Sequence, residues 1–205
     1  MNVKIPAGVI AVVRADSVDV GILIGKGLAL AGVDGIEITF TIPNAAVVIR
    51  ELAQEIAVPL GAGTVRTAAE CEAAAKAGAT FIVSPDLNEK VVEHAHSLGL
   101  AAIPGALTPS EIGRCVDAGA DGIKVFPVGA VGGAHYITTV SAPFPGQNWV
   151  VSGGIKPSEV ATYKLAGCRS ICLGSALIDT ESVAAGDLDR VVRHAKRALA
   201  LGKSA

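Results

Sequence analysis

Two ionisable residues interrupt stretches otherwise fit for burial, and both are of types that handle carbonyl compounds. Lys124 lies within GIKVFP (122–127) and Glu37 within GIEITFT (35–41). Strand alternation puts Lys124 and Phe126 on one face and Ile123 and Val125 on the other. In the same way Glu37, Thr39 and Thr41 share a face opposite Ile36, Ile38 and Phe40. Val, Ile and Phe suit a face covered by helices, so the polar sets point into the interior. A neutral amine there can attack a carbonyl carbon and form a Schiff base, and a neighbouring carboxylate can shuttle the protons that this requires. Burial disfavours the ammonium form of an amine and an adjacent carboxylate favours it, so the two effects oppose each other. The plainer readings are a snorkelling lysine or a buried Lys124–Glu37 pair that only fixes sheet register, although such pairs rarely repay their desolvation.

Glycine-rich segments supply a second kind of chemistry. VSGGI (151–155) and LGSAL (173–177) place Gly153, Gly154 and Ser175 at the ends of apolar runs, where backbone N–H groups can converge on a phosphate. Tight turns are the structural alternative. GAGT (61–64) offers a further nest of donors plus the Thr64 hydroxyl, suited to a carboxylate, and Arg14 at the end of the first apolar run could add positive charge.

These residues need a scaffold, and the chain repeats one pattern. Apolar runs at 9–15, 35–40, 60–63, 80–85, 101–106, 122–127, 149–154 and 170–177 alternate with helical stretches at 18–31, 44–56, 67–77, 89–98, 109–118, 133–140, 157–165 and 188–200. Thr108-Pro109 is a helix start, and the AG dipeptides at 31–32, 77–78, 118–119 and 166–167 are helix stops. Near-continuous apolar strands need cover on both faces, which is the condition of a parallel sheet. Eight uninterrupted βα units predict an α/β fold, a closed (β/α)8 TIM barrel, as a single domain over 1–205, compact and with short loops. An open doubly wound sheet is the alternative, but RAD (14–16) follows the first strand where a dinucleotide fingerprint would need glycines. In a closed barrel Arg14 neighbours the eighth strand, and the loops after strands seven and eight form a phosphate site.

Composition excludes several classes. The 205 residues carry 17 Lys and Arg against 19 Asp and Glu, a net charge of −2, which argues against a nucleic-acid partner or an anionic membrane surface. Aromatics are only 3% of a chain that is 51% hydrophobic, so Ala, Val, Ile and Leu must build the core. No run of 18 apolar residues escapes a charge, Lys26 breaking the best candidate at 21–33. The start, MNVKIPAGVIAVVRADS, reads as a first strand rather than a signal peptide. Cys71, Cys115, Cys168 and Cys172 lack metal spacing and are expected as buried thiols of a cytoplasmic protein. His94 and His96, at i and i+2 of one helix, share no face, and His135 and His194 are isolated, so no metal is expected. Glu70, Glu72, Glu159 and Asp187 read as solvated outer-face charges, and Trp149 as packing under the helices.

In order along the chain, GIEITFTIPNA (35–45), GAGTV (61–65), FIVSP (81–85), IPG (103–105), IKVFP (123–127), SGGI (152–155) and GSAL (174–177) resemble the class I aldolases for 2-keto-3-deoxy-6-phosphogluconate (KDPG) and 4-hydroxy-2-oxoglutarate (KHG). The resemblance runs over essentially the whole chain. It implies a homotrimeric barrel that splits a 2-keto-3-deoxy sugar acid into pyruvate and an aldehyde through a covalent lysine imine, with no metal or other cofactor. Carried over residue by residue, it implies Lys124 as the Schiff-base lysine and Glu37 as the proton shuttle. Thr64 would hold the pyruvate carboxylate, Pro85 and Phe126 would wall the enamine, and Gly153, Gly154 and Ser175 would take the distal phosphate. Thr41 stands where the better-known family pattern has an arginine that helps to bind substrate.

Two other classes compete. A phosphosugar isomerase or epimerase could share the late-strand phosphate site, but would not need an inward lysine and usually uses His and Asp near a metal. A non-catalytic, trimeric ligand-binding barrel would need neither Lys124 nor Glu37.

Overall fold

The computed structural model describes residues 5–202; positions 1–4 and 203–205 of the range read as one domain lie outside the described residues. Nine parallel strands are formed among the described residues: β1 (Gly8–Val13), β2 (Gly35–Thr39), β3 (Leu60–Gly63), β4 (Phe81–Val83), β5 (Ala101–Ile103), β6 (Gly105–Ala106), β7 (Ile123–Val125), β8 (Trp149–Val151) and β9 (Ser170–Leu173). Their order is β5-β4-β3-β2-β1-β9-β8-β7-β6. The two ends of that order, β5 and β6, are halves of one run, the predicted fifth strand, interrupted at Pro104. Proline has no N–H to give to a ladder. Around it Ser84 N–H donates to the Ile103 carbonyl (3.1 Å) on one side and Lys124 N–H to the Pro104 carbonyl (2.9 Å) on the other. The ring therefore closes through residue 104, and the barrel has eight strand positions.

Nine α-helices flank the strands among the described residues: α1 (Val18–Ala31), α2 (Ala45–Glu55), α3 (Ala68–Ala77), α4 (Glu89–Ser97), α5 (Pro109–Asp117), α6 (Gly133–Ser141), α7 (Val160–Leu165), α8 (Thr180–Ala184) and α9 (Leu188–Leu201). Their starts are chemically specified. Thr67 with Glu70, and Thr108 with Glu111 behind Pro109, form capping boxes. Three of the acids expected as plain outer-face charges are in fact caps. Besides Glu70, Glu159 accepts from Lys156 N–H at 2.7 Å, and Asp187 accepts from Arg190 N–H at 2.9 Å. Glu72 pairs with Lys76 at 2.8 Å. His96 also has a partner, Asp121, at 2.8 Å.

The late strands stop sooner than their apolar runs. Gly153 and Gly154 turn the chain out of β8 at φ +92° and +78°, a region that favours glycine. After β9 the chain coils into a short 3-10 turn, Ser175–Leu177, and then α8, for which the eight-unit pattern made no allowance.

Two apolar layers follow from strand parity. The outer one, against the helices, holds Val9, Ala11, Val13, Ile36, Ile38, Ile123, Val125, Trp149 and Ile171. The inner one is small: Ile5, Ile10, Val12, Phe81, Val83, Ala101, Ile103, Val150 and Cys172 fill the barrel. Phe81, fully buried, is its one ring. It fits because Gly61, its register partner on β3, has no side chain; a Cβ there would lie 2.1 Å from the ring.

Candidate active site

Glu37 on β2 and Lys124 on β7 face each other across the barrel, with three strand positions between them on either side of the ring. Lys124 Nζ lies 3.7 Å from Glu37 Oε1, and their side chains are 7% and 1% exposed. That separation is an ion-pair distance but too long for a hydrogen bond. Neither oxygen of Glu37 has a hydrogen-bond partner among the described residues. A buried carboxylate with both oxygens uncommitted is costly unless it serves the site's chemistry, and here it is aimed at an amine. Phe126, two residues beyond Lys124, lays its ring 5.3 Å from Nζ.

On the β8–β9 side of Lys124 a cleft of about 430 Å³ opens at the C-terminal ends of the strands. Arg14, Phe126, Gly153, Gly154 and Ser175 all line it, together with Val12, Ser152, Cys172, Gly174, Ile178 and Thr180. Five of the residues singled out from sequence thus meet in one cavity. Cys172 and Thr180 were missed: a cysteine on a strand reads as core, and Thr180 lies in the unforeseen α8. Burial pushes the Cys172 thiol up to about 12; Glu37 acts in the same direction and Lys124 opposes it.

Pro85 lines a smaller cleft of about 210 Å³ with Gly105, Leu107, Arg114 and Phe126, so Phe126 borders both clefts. Thr64 follows Gly63 at φ +59°, a left-handed conformation rare for a β-branched residue. Held strain of this kind clusters at functional sites. The Thr39 hydroxyl donates to the Val13 carbonyl at 3.0 Å. Its 2.9 Å contact with Thr41 must therefore have Thr41 as donor. Thr41, at the exposed rim, has its proton turned inward and can only accept from a ligand.

Among the described residues no cluster of three or more His, Cys, Asp or Glu is placed to hold a metal ion, and no helix is long and apolar enough to cross a membrane. What the arrangement offers is a buried amine and a free, buried carboxylate, beside a glycine-lined cleft with one arginine.

Comparison with known proteins gives a consistent result. A family model described as "Aldolase: KDPG and KHG aldolase" matches residues 2–194. The 2-dehydro-3-deoxy-phosphogluconate aldolase of Treponema pallidum (strain Nichols) is 34% identical over 192 residues, 93% of this chain and 91% of that protein. The KHG/KDPG aldolase of Escherichia coli (strain K12) is 31% identical over 193 residues, 93% of this chain and 90% of that one. A solved structure described as "Native KDPGal structure" superposes with a TM-score of 0.86 at 27% identity, covering 99% of this chain and 98% of that one.

Proposed function

The chain belongs to the KDPG and KHG aldolase family, and from that premise we propose that it is a Schiff-base, class I aldolase. It cleaves 2-keto-3-deoxy-6-phosphogluconate, or a related 4-hydroxy-2-oxo acid, to pyruvate and an aldehyde such as glyceraldehyde 3-phosphate. The observation that carries this reading is the buried Lys124–Glu37 pair, separated by 3.7 Å, with both carboxylate oxygens free.

In its neutral form the Lys124 amine attacks the C2 ketone of the substrate. Glu37 carries one proton from the added nitrogen to the C2 oxygen to give the carbinolamine, and a second proton, taken up from solvent through Glu37, lets that oxygen leave as water, so that a protonated imine remains. Glu37 then removes the proton of the C4 hydroxyl. The C3–C4 electron pair flows into the iminium, the aldehyde departs, and the enamine of pyruvate is left on Lys124. Glu37 gives its proton to C3, and water hydrolyses the imine to pyruvate and free lysine. The iminium is the electron sink, so the reaction calls for no metal and no other cofactor.

Phe126 and Pro85 wall the enamine from water. Thr64 holds the pyruvate carboxylate, and Thr41, acceptor only, takes a substrate hydroxyl. Arg14, Gly153, Gly154 and Ser175, gathered in one cleft, bind the phosphate through positive charge and backbone N–H groups. The protein acts as a homotrimer in the cytoplasm. Leu165, 90% exposed, and Leu30, 60% exposed, support burial against other copies, and four free buried thiols fit a reducing compartment. Light scattering at micromolar concentration reads the trimer directly.

The deciding experiment is mass spectrometry after borohydride reduction in the presence of pyruvate, with peptide mapping. A pyruvate-derived adduct on the peptide containing Lys124 is expected. No adduct on any lysine of the folded protein would overturn the mechanism.

A further inference from the structure

Gly63 has no backbone reason to be glycine. Its φ is not among the positive values found at twelve other glycines, so any L-residue could adopt its conformation. The requirement comes from the side of the chain where a Cβ would go. Glu37 pairs with Gly61 in the β2–β3 register, and Gly63 lies one inward position further toward the barrel mouth. The Glu37 side chain leans over it. A Cβ on residue 63 would stand 2.0 Å from Glu37 Oε1, 2.5 Å from Cγ and 2.6 Å from Cδ. Carbon atoms settle at about 3.5–4.0 Å. Because Cγ is struck as well as the carboxylate, turning the carboxylate alone relieves nothing. The side chain must leave its rotamer and, with it, its place 3.7 Å from Lys124 Nζ.

We infer that Gly63 is a positioning residue of the aldol reaction: the missing side chain at 63 is the seat that aims the Glu37 carboxylate at Lys124. The inference rests on the Schiff-base reading and adds a residue that touches neither substrate nor imine. One methyl group at position 63 disarms Glu37 while leaving the carboxylate in the chain and Lys124 untouched.

The test uses four full-length proteins: wild type, Gly63→Ala, Glu37→Ala and the double variant. Each is incubated with pyruvate and borohydride, and the rate of adduct formation on the Lys124 peptide is followed by mass spectrometry. Gly63→Ala is expected to slow trapping at least about tenfold, toward the rate of Glu37→Ala, since a positioned proton-transfer group contributes about 10²–10⁴. Adding Gly63→Ala to Glu37→Ala is expected to change the rate by less than about twofold, because the clash has gone, and residues that act through one contact are non-additive. A general packing defect would slow both backgrounds alike, and that result, or wild-type speed in Gly63→Ala, overturns the inference while the Schiff-base reading stands. No adduct on the wild-type protein overturns both. If Gly63→Ala does not fold, the melting temperatures of Glu37→Ala and the double variant decide: equal values support the contact, and a lower value for the double refutes it.

Discussion

Replacing Lys124 by methionine keeps an unbranched side chain of similar length and removes one charge. Glu37, 1% exposed at its side chain, then has no counterion. Two unit charges 3.7 Å apart attract by about 4–5 kcal/mol at an effective dielectric constant near 20. Breaking a buried pair from one side typically costs about 3–5 kcal/mol. The Lys124→Met variant should therefore lose about 3–5 kcal/mol of stability at pH 7.

The assay is urea unfolding at pH 7 and one protein concentration, followed by the fluorescence of Trp149, the chain's single tryptophan, 4% exposed in the core. The control is Glu37→Gln/Lys124→Met, which has no buried charge left. Its stability should recover most of that loss and can equal or exceed the wild-type value, since a buried ion pair is weak as a source of stability. A loss below about 1 kcal/mol, or an equal loss in the double variant, would mean that Glu37 is not the buried, singly partnered charge described above.

Glu37→Gln should lower turnover by about 10²–10⁴ while the pyruvate adduct still forms slowly on Lys124; full turnover would remove Glu37 from the mechanism. Gly154→Ala forces a methyl group onto a residue at φ +78° and should raise KM for a phosphorylated substrate while leaving the pyruvate trapping rate unchanged, a split that steady-state kinetics and borohydride reduction read separately. Gly61→Ala drives a Cβ to 2.1 Å from the Phe81 ring; overpacking of this kind costs about 1–3 kcal/mol in urea unfolding, and Phe81→Leu should restore part of it. Burial raises the Cys168 and Cys172 thiols to about 12 from an ordinary 9.0. They cost nothing below pH 9, where folded and unfolded chains both hold the proton. Above it the unfolded chain ionises first, and stability should fall by up to about 1.4 kcal/mol per unit and thiol, a slope that Cys172→Ala should reduce in thermal melts between pH 8 and 10.5.

How far the site is legible in the sequence depends on the range over which each feature is decided. Lys124 and Glu37 are legible because a period of two residues sorts each strand locally, and a charge among Val and Ile on the inward parity has few uses. The gathering of Arg14 with Gly153, Gly154 and Ser175 is legible once the strands are taken to close, since the first strand then lies beside the last. The break at Pro104 is visible as a proline, but that it divides one strand while the ring still closes through its carbonyl depends on both neighbours. Thr41 shows the limit most clearly. Its residue type suggests a donor to an anion, whereas Thr39, by spending its own proton on Val13, obliges Thr41 to donate inward. The direction of a hydroxyl is settled by the next acceptor along, and no local pattern carries it.

The glycines of β3 join the two ranges. By propensity GAG is a poor strand, and as a motif it suggests only a nest of N–H donors. In the folded chain Gly61 admits the Phe81 ring and Gly63 admits the Glu37 side chain, so the weakest strand-forming segment makes room for the one aromatic ring of the inner core and for the carboxylate. A barrel this small cannot pack both and also carry side chains at 61 and 63. The loss in strand propensity at β3, about 1 kcal/mol per glycine at most, is therefore tied to the position of a group that lies across the ring from its partner. The segment looks permissive when read along the chain, and it is restrictive because of what two neighbouring strands place over it.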